Sequence, residues 1–76
     1  MNKYGLLGKI AENNLSQRSL AKSLGVSKNT VNSWINNRSP ISTDRIIEIC
    51  QLLHITDPVD VVNIFLPELT RKNGTN

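Results

Sequence analysis

Small and apolar residues recur between positions 17 and 34 with a spacing that few folds accommodate. Ala21, Gly25, Val31 and Trp34 stand at intervals of four, six and three residues. Two helices that cross at roughly 90–120° through a short turn approach closely at one point, and Ala21 is small enough for that contact. Gly25 follows the apolar run of the first helix, where a left-handed backbone ends a helix without steric cost. The spacing therefore predicts two short helices joined by a tight turn.

The second of these helices has one apolar side and one polar side. At 100° per residue, Val31, Trp34 and Ile35 fall in one sector, and Asn29 and Ser33 fall opposite them. The flanks and the helix start carry further polar residues: Lys28, Thr30, Asn32, Asn36 and Asn37. In the major groove of DNA, Asn can pair with adenine, Lys with guanine, and Ser or Thr with either kind of edge. Because Asn also lowers helix propensity relative to Ala, this polar side predicts base recognition at some cost in local stability.

Apolar periodicity and capping residues predict five helices. The first three are expected at about residues 3–13, 17–24 and 28–36. Ser42 or Thr43 is expected to cap the fourth. The fifth is expected to begin near Pro58 and to stop or bend at Pro67. The apolar residues of the fourth helix cover more than half of its circumference, so we expect it to be buried on more than one side. After the third helix, Asn37 is expected in a left-handed conformation, and Pro40 bars continuation.

The composition limits the chain to a single small domain. A chain of 76 residues buries only about 60% of the surface that it exposes when unfolded. We expect one all-α domain over residues 1–70, with its helix-turn-helix at residues 17–36, and a polar, disordered tail from Arg71 to Asn76. Nine Lys and Arg against six Asp and Glu give a formal charge of +3, which favours a polyanionic partner without identifying it.

Several function classes find no support in the sequence. Cys50 is the only cysteine, so neither an intramolecular disulfide nor a cysteine-based zinc site is expected, which suits a reducing cytoplasm. The apolar runs are far shorter than the ~20 residues that span a bilayer. His54 lies at a predicted helix end, where a dipole or packing role is expected rather than metal binding. No catalytic motif is present, so we predict a cytoplasmic non-enzyme without cofactor, metal, membrane or small-molecule ligand.

The sequence resembles the phage Cro and repressor family of helix-turn-helix proteins, the XRE-like class. The resemblance covers about residues 3–56 and is carried by Gln17, Leu20, Ala21, Gly25, Val26, Ser27, Val31, Trp34, Asn36 and Pro40. It implies a five-helix, lambda-repressor-like domain that binds operator DNA, usually as a dimer, with the third helix in the major groove. Two positions depart from the family pattern: Ile35 replaces a frequent acidic residue, and Asn37 replaces the usual glycine. Ile35 suggests additional apolar packing, and Asn tolerates the left-handed conformation.

The resemblance also implies roles for individual residues. The residues expected to contact bases are Lys28, Asn29 and Ser33, with Thr30 and Asn32 able to contact bases or backbone. Those expected to contact phosphates are Gln17, Ser27 and Arg38. An ordinary solvated surface is the alternative for these positions, since every small basic domain has such residues. With these roles, the chain would be a sequence-specific transcriptional regulator, most simply a small phage or mobile-element repressor acting on double-stranded operator DNA.

The apolar side of the fifth helix has two possible roles. Val62, Phe65 and Leu66, beside Val61, either close the core or meet the same residues of a second copy. A two-fold dimer places two recognition helices about 34 Å apart on one face of DNA, so a homodimer, formed in solution or only on DNA, is predicted. One alternative is a protein-interaction module, such as an antitoxin or antirepressor, that acts through this helix. A non-specific architectural DNA binder is a second alternative, and the low charge of the third helix argues against it.

Overall fold

The computed structural model describes residues 1–69, and in that range it contains helices and no strands. The helices are α1 (Lys3–Glu12), α2 (Gln17–Leu24), α3 (Lys28–Ile35), α4 (Thr43–Leu52) and α5 (Pro58–Phe65), followed by a short 3-10 helix (Pro67–Leu69). The all-α prediction with five α-helices is confirmed. Both α1 and α3 end one residue earlier than predicted, because Asn13 and Asn36 are their C-caps. The predicted tail, Arg71 to Asn76, lies outside the described residues.

The helix boundaries follow from short polar side chains at the N-caps. Each N-cap side chain accepts a hydrogen bond from a backbone N–H of the first turn, and these residues are Asn2, Ser16, Ser27, Ser42 and Asp57. Ser42, not Thr43, therefore caps α4. The predicted left-handed residues are confirmed, with φ of 72° at Gly25 and 58° at Asn37. The residues that direct the chain out of one helix and into the next are thus local in sequence.

All five helices contribute to one hydrophobic core. Its buried members are Leu6, Ile10, Leu20, Ala21, Leu24, Val31, Trp34, Ile35, Ile49, Leu53, Ile55, Ile64 and Phe65. The predicted packing side of α3 is confirmed, because Val31, Trp34 and Ile35 are all in this set. On α4 the prediction of burial on more than one side is only partly right, because Ile49 is buried whereas Ile47 stays 50% exposed.

Side-chain hydrogen bonds join α4 to α1 and to α2. The Asn13 side-chain amide donates to the Lys9 carbonyl at 2.8 Å and to the Leu53 carbonyl at 3.0 Å, which joins the ends of α1 and α4. The Arg45 guanidinium donates to the Leu24 carbonyl at 2.9 Å and to the Glu48 carboxylate at 3.0 Å. Because Leu24 is the last residue of α2, Arg45 binds an orphan carbonyl at that helix end and ties it to α4.

Candidate nucleic-acid interface

The polar side of α3 is open to solvent along its length. Lys28 and Asn29 are exposed, and Ser33 is half-buried. None of these three side chains has a hydrogen-bond or ion-pair partner among residues 1–69. Their donors and acceptors are therefore available to a ligand, while the opposite side of the same helix is anchored in the core.

Ser27 and Thr30 form a small hydroxyl pair at the start of α3. Their hydroxyl oxygens lie 2.9 Å apart, and the Thr30 backbone N–H donates to the Ser27 hydroxyl at 3.1 Å. Both residues were expected to contact DNA, and the structure gives each a role in capping the helix. Ser27 remains exposed and Thr30 half-buried, so the pair borders the open polar side of α3.

Gln17 and Asn32 join the start of α2 to the middle of α3. The Asn32 amide donates to the Gln17 side-chain oxygen at 3.4 Å, and the Asn36 amide donates to the Asn32 carbonyl at 2.9 Å. Asn32 is half-buried, so its side chain is directed to a neighbouring helix rather than left free like that of Asn29. Gln17 is thereby held beside α3, next to the residues expected to contact bases.

A polar cleft of about 460 Å³ lies where the first turns of α2 and α3 meet. It is lined by Ser16, Gln17, Arg18 and Lys28. Two cations and the N-terminus of α2, where the helix dipole is positive, make this cleft complementary to an anion such as a DNA phosphate. Sequence analysis included Gln17 and Lys28 but missed Arg18, whose position directly after the expected phosphate contact could have indicated it.

A second group of cations lies at the opposite end of α3. The Lys3 ammonium donates to the Asn36 side-chain oxygen at 3.2 Å, which brings the start of α1 to the C-cap of α3. Arg38 follows two residues later and is exposed, with its backbone N–H donating to the Ser33 carbonyl at 2.8 Å. Arg38 was predicted and Lys3 was not. No local pattern identifies Lys3, because its proximity to α3 depends on how α1 packs.

Charge is divided unevenly between the two halves of the chain. Residues 1–42 hold six basic residues and one acidic residue, a formal charge of +5. Residues 43–69 hold one basic and five acidic residues, a formal charge of −4. The half that contains α2 and α3 is thus far more basic than the net charge of +3 suggests, which favours a polyanion on that side.

The C-terminal half exposes apolar surface on α5. Val59, Val62 and Leu66 lie within a 60° sector of that helix at 100° per residue, and we call them the α5 stripe. Val59 is 61% exposed and Leu66 is 46% exposed, while Val62 is half-buried. Phe65, which sequence analysis grouped with Val62 and Leu66, is only 5% exposed and packs in the core. Of the two roles predicted for this group, Phe65 therefore has the core role and is not part of an exposed contact surface. Val59, which was not predicted, is exposed beside Val62 and Leu66.

An apolar groove of about 340 Å³ opens between α4 and α5. It is lined by Ile46, Ile47, Cys50, Gln51, His54, Ile55, Thr56 and Val61. Burial raises the pKa of the Cys50 thiol, so Cys50 is mainly protonated near neutral pH. His54 is exposed, with φ of 56°, and ends α4 in a left-handed conformation. Residues 1–69 hold no cluster of three or more potential metal ligands.

Comparison with known families agrees with this geometry. A family model described as helix-turn-helix matches residues 9–59, about two thirds of the chain, including α2 and α3 in full. No curated protein and no solved structure matches the chain. Over residues 1–69, no helix has the length and hydropathy needed to cross a membrane. The chain belongs to the Cro/C1-type, or XRE, family of helix-turn-helix proteins, which are regulators of transcription that bind double-stranded DNA.

Proposed function

We propose that this protein is a sequence-specific repressor that inserts α3 into the major groove of operator DNA. The observation that carries this proposal is the polar side of α3, where Lys28, Asn29 and Ser33 have no partner within residues 1–69. An Asn amide pairs with adenine N6 and N7, and a Lys ammonium donates to guanine O6 or N7. The buried side of α3 holds these groups in fixed positions, which direct reading of base edges requires.

Contacts to the DNA backbone would orient α3 in the groove. The cleft at the start of α2 supplies Gln17 and Arg18, and the opposite end of α3 supplies Arg38. Ser27 is exposed beside the cleft and can donate its hydroxyl to a phosphate while it still caps α3. Backbone contacts fix the orientation and register of a protein on DNA without reading the sequence, so these residues complement the base contacts.

We propose further that two copies bind side by side, in contact through the α5 stripe. The stripe is apolar, and two of its three residues, Val59 and Leu66, are exposed. In a two-fold arrangement the same apolar surface of each copy would meet the other, as in an isologous interface. Three side chains bury far less than the ~800 Å² per partner of a stable interface. The homodimer is therefore expected to form on DNA, where adjacent half-sites hold the two copies together.

Repression follows from occupancy of an operator in the bacterial cytoplasm, such as that of a phage or another mobile element. A bound dimer covers two half-sites about one helical turn apart. RNA polymerase cannot then use an overlapping promoter.

The decisive experiment selects bound duplexes from a randomised DNA pool at about 150 mM salt, followed by sequencing. We expect the wild-type protein to enrich a two-fold symmetric site. A variant with Lys28, Asn29 and Ser33 changed to Ala should lose that enrichment. A control variant with Lys9, Asn63 and Ser23 changed to Ala removes the same residue types from surfaces outside α3 and should keep it. A single half-site would retain specificity and refute the dimer, whereas no enrichment by the wild-type protein would refute the proposed function.

Protein binding through α5 is the alternative that this proposal must exclude. Leu66→Glu places a charge on the α5 stripe, and Asn63→Glu places the same charge on an exposed position of the same helix. If the stripe joins two copies, Leu66→Glu weakens binding to the full operator and leaves a single half-site unaffected, while Asn63→Glu changes neither. If Leu66→Glu leaves operator binding intact but abolishes regulation in cells, the stripe binds another protein, as an antitoxin or antirepressor would.

A further inference from the structure

We propose that Lys3, at the start of α1, contacts the DNA backbone beside the C-terminal end of α3. This inference rests on the proposed function and adds a third helix to the DNA-binding surface. Neither the sequence motif nor the family match includes Lys3, since the match begins at residue 9. The contact would pair with the phosphate cleft at the start of α2, so that cations would lie at both ends of the helix that reads the bases.

The position of the Lys3 ammonium is fixed by Asn36. Lys3 donates to the Asn36 side-chain oxygen at 3.2 Å, while the Asn36 amide donates to the Asn32 carbonyl within α3. Asn36 is the C-cap of α3, so its side chain moves with that helix. Lys3 is half-buried, which limits the freedom of its side chain and reduces the entropy that a further contact would cost.

The Lys3 ammonium has no anionic partner in the described part of the chain. The three ion pairs there belong to Lys9 and Arg45. Lys3 has only the Asn36 oxygen and the Tyr4 ring, whose centroid lies 5.8 Å from its ammonium nitrogen. The exposed guanidinium-bearing residue Arg38 follows Asn36 by two positions. Two cations near one helix end repel each other, and an anion close to both, such as a DNA phosphate, would offset that repulsion.

The length of α3 is close to the width of the major groove. Its eight residues span about 12 Å at 1.5 Å per residue, and the major groove is about 12 Å wide. With a helix of this length in the groove, long cationic side chains at its two ends can reach toward the backbones that border the groove. Arg18 would face one strand, and Lys3 with Arg38 would face the other.

Two lysines on α1 provide a matched test. Lys3→Gln and Lys9→Gln remove the same charge from the same helix, but Lys9 lies near Glu12 and Asp60 instead of α3. Affinity is measured between about 50 and 200 mM salt, on the selected operator and on a scrambled duplex. We expect Lys3→Gln to weaken both duplexes by about fivefold at 0.15 M salt and to reduce the slope of log affinity against log salt by about 0.9. Lys9→Gln should keep the wild-type slope, and Lys3→Arg should restore it.

The remaining outcomes overturn the inference in distinguishable ways. Equal salt slopes for Lys3→Gln and Lys9→Gln would show that Lys3 makes no phosphate contact. A lower urea midpoint for Lys3→Gln with an unchanged salt slope would assign Lys3 a purely structural role through Asn36. A loss confined to the operator would mean that Lys3 positions α3 for base reading instead of holding the backbone. If the wild-type protein binds neither duplex, the proposed function itself fails.

Discussion

Asn29 and Asn32 are the same residue type less than one turn apart on α3, yet their surroundings differ. Asn29 is exposed and its side chain has no partner within residues 1–69. Asn32 is half-buried and donates to Gln17 across the contact between α2 and α3. Asn29 was expected to contact bases and Asn32 to contact either bases or backbone, and the structure gives the two side chains different surroundings. Asn29 is suited to read a base, and Asn32 is suited to hold the two helices together.

This difference predicts that the two alanine variants lose DNA affinity in different ways. Asn29→Ala should cost about 1–3 kcal/mol on the operator and relax the preference at one base pair. Asn32→Ala should weaken binding at every sequence alike, because it loosens the placement of α3 without removing a base contact. Competition with operators altered at one base pair at a time measures both profiles. A changed base preference in Asn32→Ala would return Asn32 to the base-reading group.

Two glycines of α1 make a second comparison between like residues. A Cβ at Gly8 would meet no atom within 4 Å, whereas a Cβ at Gly5 would lie 2.8 Å from the Asn2 side-chain nitrogen and 3.3 Å from Ile64. Gly8→Ala should therefore stabilise the protein by about 0.5–1 kcal/mol. Gly5→Ala should show no such gain, because it displaces the Asn2 cap, which is worth about 1 kcal/mol. Urea denaturation measures both values, and equal gains would refute the close approach at Gly5.

At the scale of the element, α3 depends on a cap that lies inside the surface that we propose faces DNA. Ser27 accepts a hydrogen bond from the Thr30 backbone N–H and is also an expected phosphate contact. A substitution at this position therefore affects helix stability and DNA binding together. The two effects can be separated, because Asn and Asp cap helices as well as Ser does but differ in charge.

Three substitutions of Ser27 are expected to give different results. Ser27→Ala should destabilise the protein by about 1 kcal/mol and reduce DNA affinity. Ser27→Asp should restore stability but bind DNA more weakly than Ser27→Asn, because its carboxylate would face a phosphate. Thermal unfolding gives the stabilities, and titration with the selected operator gives the affinities. Equal affinities of the Asp and Asn variants would place Ser27 away from the DNA backbone.

The capping residues also show which parts of the fold local sequence can predict. Ser16, Gly25 and Asp57 act on backbone groups within a few residues of themselves, so their roles were visible in the sequence. On α5 nearly every position is apolar, so helical periodicity could not decide whether Val59 or Phe65 faces the core. Packing against the other helices made that choice, and it buries Phe65.

At the scale of the whole molecule, we expect the separation of charge to set the direction in which DNA is bound. The half with α2 and α3 carries a formal charge of +5, and the half with α4 and α5 carries −4. The local charge, rather than the net charge of +3, should govern binding, because interactions are screened beyond about 8 Å at physiological salt. Arg18 and Lys3 belong to the basic half. The position of Arg18 beside Gln17 could have indicated it, whereas the place of Lys3 beside α3 depends on tertiary packing.

Two substitutions that change the net charge by one unit in opposite directions test whether the local charge governs DNA binding. Arg18→Gln removes a positive charge that lines the polar cleft at the start of α2, and we expect it to weaken DNA binding and to reduce the salt slope by about 0.9. Asp44→Asn removes a negative charge from the first turn of α4 and should change affinity by less than about twofold. Salt titrations on one duplex give both results. An increase in affinity for Asp44→Asn as large as the loss for Arg18→Gln would mean that net charge governs binding.

The division of α3 into a buried side and an open side also bears on how such a protein can change over evolution. The core residues Val31, Trp34 and Ile35 determine where the helix lies, while Lys28 and Asn29 contribute almost nothing to holding it there. Substitutions at the open positions can therefore accumulate with little penalty in folding. A lineage that keeps the three anchors can acquire a new target site and become insulated from its relatives, so regulatory circuits can diverge faster than the fold that operates them.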